Sequence, residues 1–401
     1  MLKFREIFLY IFHFCAIMVS YGANLLTEVT MEALLSNFAN IEWQMIVMWA
    51  IGGALIYLAI AKEMEPTLLL PMGFGAILMN LPVPELGTGV QGVINGLFQI
   101  GIDFHELFPL LLFVGIGAMI DFGPLLSNPK MLLFGAAAQF GIFFAMALAS
   151  VLGFELKDAA SIGIIGAADG PTSIMVSQIF KSNYVGAIAV AAYSYMALVP
   201  IIQPIAIKMV TTKKERRIKM PYNPAAVSKK TRIFFPVIVT MIAGLVAPTS
   251  VSLVGFLMFG NLIRECGVLK SLSETAQKEL ANLITLLLGI TISFSMKAES
   301  FVTAETLMIM GIGLVAFVFD TIAGCMFAKF MNLFSKTKIN PMVGAAGISA
   351  FHMSARVIQK MGLKEDPTNH LLMHAVGANV AGQIGSVVAG GMILSLVSQL
   401  L

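Results

Sequence analysis

The stretch Ile162-Gly-Ile-Ile-Gly-Ala-Ala-Asp-Gly-Pro-Thr-Ser-Ile174 places an acid, three glycines and a proline within a long apolar region. An ionisable side chain at membrane depth is costly unless it faces a partner or a cavity. Gly170-Pro171 should break a helix there, and freed carbonyls at such a buried break can hold a cation. The stretch therefore predicts that Asp169 is an ion-binding carboxylate at the tip of a half-helix. The alternative is that Asp169 only caps the following helix, with Thr172 and Ser173 in its first turn.

The composition predicts an all-α polytopic membrane protein. Hydrophobic residues make up 58% of the chain and charged residues 12%, and the mean hydropathy is +0.88. Since a spanning helix takes about 20 residues, the chain could hold about ten spans as well as re-entrant segments. The net charge of +3 gives no indication of nucleic-acid binding, and no Walker motif points to ATP as the energy source. Three widely separated cysteines form neither a disulfide framework nor a metal or redox motif.

A basic segment divides the chain into two membrane halves. Residues 208–232 hold nine of the 25 basic residues, which predicts a cytoplasmic loop by the positive-inside rule. The first membrane half covers residues 43–207 and the second covers residues 233–401. Residues 1–42 form an N-terminal extension, in which residues 1–23 predict either a retained membrane helix or a signal peptide.

The two halves share short sequence patterns. Leu-Leu-Phe-Val-Gly115 resembles Leu-Leu-Leu-Gly289, and Gly166-Ala-Ala168 is matched by Gly344-Ala-Ala346 at a similar spacing. Interrupted apolar segments at matching places in two halves are typical of transporter folds built from inverted repeats. Chance recurrence in a chain rich in glycine and alanine is the alternative.

Pairing of these repeats would bring Asp169 to Asn340, Ser349 and Arg356. Carboxylate, amide and hydroxyl oxygens are hard ligands that suit Na+. A helix predicted over residues 349–361 would place Ser349 and Arg356 on one face. Arg356 could neutralise Asp169 or bind an anionic group, and the alternative is that it reaches towards the membrane interface.

Other polar residues in apolar segments are further candidates. Asn379 suits either ion ligation or a hydrogen bond between helices, because the surrounding glycines allow close approach. Tyr195 could orient an ion ligand or carry a proton, or it could be an interfacial aromatic residue. His370 and His374 have the spacing of a zinc pair, but no glutamate follows the first histidine, which disfavours a zinc enzyme.

The longer motifs resemble one known family. Gly166-Ala-Ala-Asp-Gly-Pro-Thr-Ser-Ile174, Asn340-Pro-Met-Val-Gly344, Ser349 and Arg356 are similar to the β subunits of the sodium-pumping, biotin-dependent decarboxylases. These are the oxaloacetate, methylmalonyl-CoA and glutaconyl-CoA decarboxylases. Leu58-Ala-Ile-Ala-Lys-Glu-Met-Glu-Pro66 and Leu70-Pro-Met-Gly-Phe-Gly75 resemble the family's first span and the turn after it. The resemblance runs from about residue 42 to the end and leaves out the extension before Trp43.

The resemblance implies a role for each matching residue. Asp169 matches the family's sodium-binding and coupling aspartate. Ser349 and Arg356 match its second functional cluster, in which the serine is implicated in ion binding, and in the mechanism that follows the carboxylate of carboxybiotin would meet Arg356. Asn340, Asn379 and Tyr195 match further positions of the site. Three glycines match the structural positions around it: Gly166, Gly170 and Gly344.

The resemblance also implies an architecture and an activity. The fold would be like that of elevator-type transporters, with inverted repeats and a trimer of β subunits. The chain would couple release of CO2 from carboxybiotin to Na+ export, with consumption of a proton. Its partners would be a carboxyltransferase, a biotin carrier and a small single-span membrane subunit. The protein would be a multi-pass protein of a bacterial or archaeal inner membrane.

Two alternative functions remain open from the sequence. A sodium–carboxylate symporter would use the same fold without enzymatic activity. A membrane scaffold for a decarboxylase would use its ionisable residues only in structural pairs.

Overall fold

A computed structural model shows the protein to be all-helical wherever the chain is described. The described ranges are residues 40–63, 65–82, 89–104, 106–221, 227–246, 248–335, 337–350 and 353–400, and no strand occurs in them. This confirms the predicted all-α class. The helix predicted within residues 1–23 lies outside the described residues. The division into two halves, and their relation as inverted repeats, stay predictions.

The described helices are numbered in chain order. The helices before the basic loop are α1 (Trp43–Ala61), α2 (Pro66–Met79), α3 (Val90–Phe98), α4 (Leu107–Met119), α5 (Gly123–Ser127), α6 (Leu132–Ala137), α7 (Phe140–Val151), α8 (Leu156–Gly163), α9 (Gly170–Ile179) and α10 (Val185–Val210). The helices that follow are α11 (Lys213–Arg216), α12 (Lys229–Val246), α13 (Val251–Cys266), α14 (Lys270–Thr275), α15 (Ala281–Ile292), α16 (Ala298–Phe301), α17 (Ala304–Phe334), α18 (Pro341–Ala345), α19 (Met353–Glu365) and α20 (Leu372–Val397).

Five helical stretches of the described chain are long and apolar enough to span a membrane. These stretches are Trp43–Ala61, Pro129–Val151, Lys270–Ser295, Ala304–Phe334 and Leu372–Val397. Two bent pairs raise the number to seven if each pair is one span: α3 with α4, bent by 63°, and the two parts of α10, bent by 69°. The described chain is therefore polytopic, and its two bent helix pairs are either broken spans or re-entrant segments.

Two predicted helix boundaries were wrong. The resemblance implied a turn at Leu70-Pro-Met-Gly-Phe-Gly75, but this stretch lies within α2, which runs from Pro66 to Met79 with Pro71 inside it. Gly73 there packs so closely on Gly52 of α1 that an added Cβ at either residue would meet the other's carbonyl oxygen at 2.6 Å. Close packing of neighbouring helices is one way in which a membrane helix tolerates a proline. The helix expected over residues 349–361 begins only at Met353, so Ser349 precedes it in a turn.

The elements that carry the predicted site pack into one core. Its large buried side chains include Phe134 of α6, Phe317 of α17 and Ile348 of the segment before α19. Glycines allow these elements to touch along their backbones: Gly344 of α18 lies against Gly324 of α17, and Gly382 of α20 lies against Gly347. The site is thus built where several chain segments approach more closely than larger residues would allow.

Candidate functional site: a buried carboxylate between two chain tips

The first chain tip is the break between α8 and α9. A short 3₁₀ turn, Ile164–Ala167, follows α8, and Ala168 then takes a left-handed conformation with φ of 52°. Asp169 is extended and becomes the N-cap of α9, whose first turn contains Pro171. Proline suits this position because the first N–H groups of a helix have no intrahelical partner. The predicted break at Gly170-Pro171 is confirmed.

The Asp169 carboxylate is buried and accepts hydrogen bonds from two elements. Thr172 of its own helix donates through its hydroxyl at 2.8 Å and its backbone N–H at 3.4 Å. From α20, Ser386 donates its hydroxyl at 2.7 Å and Gln383 its side-chain amide at 3.2 Å. Asp169 is only 3% exposed. The capping role considered as an alternative is therefore present, and the bonds from α20 go beyond what a cap requires.

The second chain tip, residues 346–350, meets the first tip directly. The Ser349 N–H donates to the Ala167 carbonyl at 3.1 Å, and the Ser349 hydroxyl donates to the Gly382 carbonyl at 3.0 Å. Asn379 donates its amide to three carbonyls of this tip, those of Ala346, Ile348 and Ala350, at 3.2, 2.7 and 3.2 Å. The structure thus brings Asp169, Ser349 and Asn379 into one assembly of two tips and α20.

The three predicted structural glycines lie at close approaches around this assembly. Gly166 lies against the backbone of Gly141, Gly344 lies against that of Gly324, and Gly170 lies against the ring of Tyr193. A side chain at any of these positions would displace a neighbour, which gives each glycine a packing reason.

The Asn340 side chain forms its hydrogen bonds outside the assembly that contains Asp169. Its amide donates to the carbonyls of Arg216 and Ile218, both at 2.9 Å, and its Oδ1 accepts the N–H of Met342 at 3.1 Å. Asn369 reaches the same two carbonyls at 3.3 Å. These bonds make Asn340 an anchor for the basic loop in this structure.

Salt bridges hold the same loop onto the last residue of α19 and the turn that follows it. Arg216 pairs with Glu365 at 2.8 Å, and Lys219 pairs with Asp366 at 3.1 Å. Hydrogen bonds from Thr368, with the nearby Lys219, lower the pKa of Asp366 to about 2, and the Arg216 hydrogen bond lowers the pKa of Glu365. We call this set of contacts the loop clamp.

We expect the loop clamp to open in acid. A carboxylate whose pKa is lowered by folding stabilises the folded state above its unfolded pKa of about 4, and this contribution is lost as pH falls through the folded value. Spin labels at positions 214 and 367 should therefore report a constant distance from pH 7 to pH 5 and a longer one as the pH approaches 2. Asp366→Asn cannot form the ion pair with Lys219. The part of the distance change that comes from breaking this pair in acid should therefore be absent in this variant. A wild-type distance that is constant down to pH 2 would contradict the prediction.

Tyr195 and Arg356 are not among the described groups that bond to Asp169. The Tyr195 hydroxyl donates to the Met310 carbonyl, and its ring packs on Gly313 of α17. Arg356 lies on the exposed side of α19. Burial raises the pKa of Glu65, in the turn between α1 and α2, and the charge of Arg356 opposes this rise. The charge of Arg356 therefore acts on the turn between α1 and α2, whereas Asp169 lies at the break between α8 and α9.

Four residues next to Asp169 escaped the sequence reasoning as site members. The sequence analysis placed Thr172 only in the first turn of the capped helix and predicted no role for Gln383 or Ser386. Their spacing from Asn379, at intervals of four and three residues, puts all three polar side chains of α20 on one face, which was a usable signal. Tyr193, whose ring lies against Gly170, has a buried hydroxyl without a hydrogen-bond partner among the described residues. No sequence signal distinguished it from Tyr195.

The chemistry of the assembly suits a hard monovalent cation. It offers a carboxylate, three hydroxyls and backbone carbonyls at two chain tips, all shielded from water. Within the described ranges, no group of three or more histidine, cysteine, aspartate or glutamate side chains could hold a metal ion. A buried carboxylate at a helix break inside a polytopic helical protein is the arrangement of an ion-coupled membrane transporter.

Comparison with known proteins identifies the family. The sequence model of the protein family described as Na+-transporting oxaloacetate decarboxylase beta subunit matches residues 44–397 of this chain. The methylmalonyl-CoA decarboxylase subunit beta of Propionigenium modestum is 50% identical over 386 residues, which cover 90% of this chain and 97% of that protein. The glutaconyl-CoA decarboxylase subunit beta of Acidaminococcus fermentans is 49% identical, with 90% and 96% covered. The oxaloacetate decarboxylase beta chain of Klebsiella pneumoniae is 42% identical, with 88% and 94% covered. The chain belongs to this family of β subunits of Na+-transporting decarboxylases, as the sequence motifs predicted.

Proposed function

We propose that this chain is the membrane subunit that couples decarboxylation of carboxybiotin, carried by a partner subunit, to Na+ export with consumption of a proton. The observation that carries the proposal is the Asp169 carboxylate, buried at a helix break and surrounded by hydroxyl groups from two elements. Family membership favours this function over a symporter or a passive scaffold.

We assign Asp169 and Ser349 as the main Na+ ligands. In the structure, the Thr172 and Ser386 hydroxyls donate to Asp169. A hydroxyl that rotates can offer lone pairs to a cation instead, and an amide can do so by turning its oxygen inwards. Asn379 supports the site by holding three carbonyls of the second tip in place. Asn340 supports it from outside by fixing the basic loop beside α18.

Basic residues line a route by which an anionic group could approach. Arg356, Lys360 and Lys364 are exposed and follow one another at four-residue intervals along α19. Lys208, Lys360 and Lys364 also line a cavity of about 200 Å³ beside the two prolines of α10. Since residues 208–232 are expected to be cytoplasmic, the route would begin on the side where carboxybiotin is delivered.

A working cycle follows from these assignments. The carboxylate of carboxybiotin meets Arg356, and Na+ binds at Asp169 and Ser349. Movement of the unit that bears the two tips, in the manner of an elevator, exposes the ion to the outside. A proton returns and is consumed when carboxybiotin releases CO2. The carboxyltransferase and biotin carrier, the small single-span subunit, the β trimer and the inner-membrane location are parts of this proposal.

Reconstitution tests the function directly. The chain is purified with its partners, the biotinylated subunit is identified, and carboxybiotin decay is measured in liposomes with and without Na+. Na+-stimulated decay with Na+ uptake into inside-out vesicles would support the pump. Uptake of a labelled carboxylate by this chain alone would favour the symporter. Carboxybiotin decay that is not stimulated by Na+ would indicate that the chain is only a scaffold.

Arg356→Lys should lower turnover about tenfold while leaving protein level and assembly unchanged. Lysine keeps the charge but loses the planar fork that binds a carboxylate through two parallel hydrogen bonds, worth about 1.5–3 kcal/mol each. Because Arg356 is exposed, the fold should not depend on it. The measurement is the rate of carboxybiotin decay at varied concentrations of the biotin carrier subunit. Loss of the folded protein would point to a structural ion pair instead.

Tyr193→Phe should weaken apparent Na+ affinity by a few-fold. The Tyr193 ring packs on Gly170, next to Asp169, and its buried hydroxyl, which has no hydrogen-bond partner among the described residues, can contact a bound cation or its water. The matched control is Tyr195→Phe, which removes a hydroxyl bonded to the Met310 carbonyl and should leave Na+ affinity near the wild-type value. The measurement is Na+ dependence of carboxybiotin decay. A larger effect from Tyr195→Phe would reverse this assignment.

A further inference from the structure

Asp320 is a buried acid within a membrane span that the proposed function does not use. It lies near the middle of α17, a helix of 31 residues, and it is fully buried. Ionisable residues in the middle of a membrane span are rare and usually functional, because burial of an unpaired charge is costly.

One oxygen of Asp320 has a structural explanation. Oδ1 accepts the N–H of Gly141, in the first turn of α7. In an uninterrupted helix this N–H would donate to the Ala137 carbonyl, but the chain is broken between α6 and α7. A Cβ on Gly141 would collide with the carboxylate, so only glycine allows this contact.

The other oxygen of Asp320 has no such explanation. Oδ2 is buried and lacks a hydrogen-bond partner among the described residues. Capping of α7 accounts for Oδ1 alone. An unpartnered carboxylate oxygen in a buried place is costly unless it binds something that the structure does not show.

The surroundings of Asp320 suit a proton better than a sodium ion. Asp169 has bonds from two hydroxyls and a side-chain amide, whereas the described residues give Asp320 a single backbone N–H. The Asp320 carboxylate lies against the backbone of Gly141. A sodium ion needs several oxygen ligands, while a proton needs one. Two buried carboxyls in contrasting environments can divide the tasks of cation and proton binding between them.

We propose that Asp320 is a protonation site of the membrane interior, separate from the cation site at Asp169. The proton resides on Oδ2, and Oδ1 keeps the Gly141 bond in both protonation states. Gly141 also touches Gly166, so Asp320 and the first tip contact opposite sides of the same stretch of α7 backbone.

The use of this proton rests on the proposed function. Asp320 releases H+ and becomes a carboxylate, and the carboxybiotin anion takes up H+ to give biotin and CO2. The site then takes up a proton again from the outer side.

The other titratable groups on the elements around α17 have partners of their own or lie apart. On α8, Lys157 pairs with Glu155, and Asp158 accepts bonds from Ser182 and Asn183. On α10, Tyr195 bonds to Met310 and Tyr193 faces Gly170. On α17 itself, Lys329 pairs with Glu215, and Cys325 is buried one turn beyond Asp320. α6, α7 and α18 carry no ionisable side chain.

Infrared spectroscopy of the full purified chain tests the site without relying on catalysis. At saturating Na+, which suppresses protonation of Asp169, the wild type should show the C=O band of a protonated carboxyl that disappears as pH is raised. Asp320→Asn should lack this band, and Asp158→Asn should keep it. If Asp320→Asn does not fold, the double variant Asp158→Asn/Asp169→Asn must still show the band, shifted by ¹³C-labelled aspartate. A wild type without the band, or a band that survives in Asp320→Asn, would overturn the proposal.

The reconstituted complex then tests the use of the proton. Asparagine keeps an oxygen for the Gly141 N–H, so a purely capping role predicts wild-type turnover and an unchanged pH profile, which would overturn the proposal. We expect Asp320→Asn to lower turnover at saturating Na+ at least about tenfold and to remove the fall in rate with rising pH, as loss of an acid–base group does. If the wild type shows no Na+-stimulated decay, the proposed function fails, whereas the infrared result stands by itself.

Discussion

Asp169→Asn should abolish Na+-stimulated carboxybiotin decay while leaving carboxyl transfer to biotin on the partner subunit intact. Asparagine keeps the shape and one acceptor oxygen. With this oxygen at the Oδ1 position it still caps α9 through the Thr172 N–H, and the Thr172 and Ser386 hydroxyls, which donate to Oδ2 in the wild type, can rotate to accept from the amide instead. The charge that holds the cation is lost. A hydrogen bond to a charged group contributes about 1.5–3 kcal/mol. We expect loss of the charged Na+ ligand to cost a similar free energy, which weakens Na+ binding on the order of 100-fold.

Competition between protons and sodium gives the same prediction a second measurement. If Asp169 binds Na+ as a carboxylate, apparent Na+ affinity must weaken as pH falls through the titration of this group, because protonation removes the charge. Asp169→Glu should retain part of the activity with weaker Na+ dependence. Asp158→Asn is the control, since Asp158 is also buried but holds the turn at Ser182 and Asn183. Wild-type Na+ stimulation in Asp169→Asn would remove Asp169 from the site.

The local chemistry of the first tip could be predicted from the sequence. Gly170-Pro171 after an apolar run favours a helix break, and an aspartate just before such a break is well suited to be the N-cap of the next helix. Local rules therefore found the break and its carboxylate. They failed at Pro71, where close packing of α1 on α2 keeps a proline within a continuous helix.

The partners of this carboxylate could not be predicted in the same way. Whether Tyr193 or Tyr195 faces Asp169 depends on the rotation of α10, and the two tyrosines are only two residues apart. Asn340 bonds to the basic loop because the chain folds back there, and no local pattern encodes that contact. Asp320 has no flanking motif, and its importance becomes visible only when Gly141 is seen beside it.

Gly382→Ala should separate the two tips from α20 and weaken apparent Na+ affinity about tenfold or more. A Cβ at this position would overlap the Gly347 carbonyl, a backbone group that cannot turn aside as a side chain can. Overpacking of this kind costs about 1–3 kcal/mol, and about 1.4 kcal/mol corresponds to a factor of ten. The displaced second tip would lose the bond from the Ser349 hydroxyl to the Gly382 carbonyl.

Gly377→Ala on the same helix is the matched control. A Cβ there would meet its nearest neighbour, Met131, at 3.4 Å, which is ordinary contact, so protein level and Na+ affinity should stay near wild type. Both variants gain the same helix propensity from alanine. A difference between them in the Na+ dependence of carboxybiotin decay therefore reports the position of the second tip and not helix stability. Equal Na+ affinities in the two variants would mean that the contact of Ser349 with α20 does not shape the cation site, and would leave Asp169 and its α20 partners to hold the ion without the second tip.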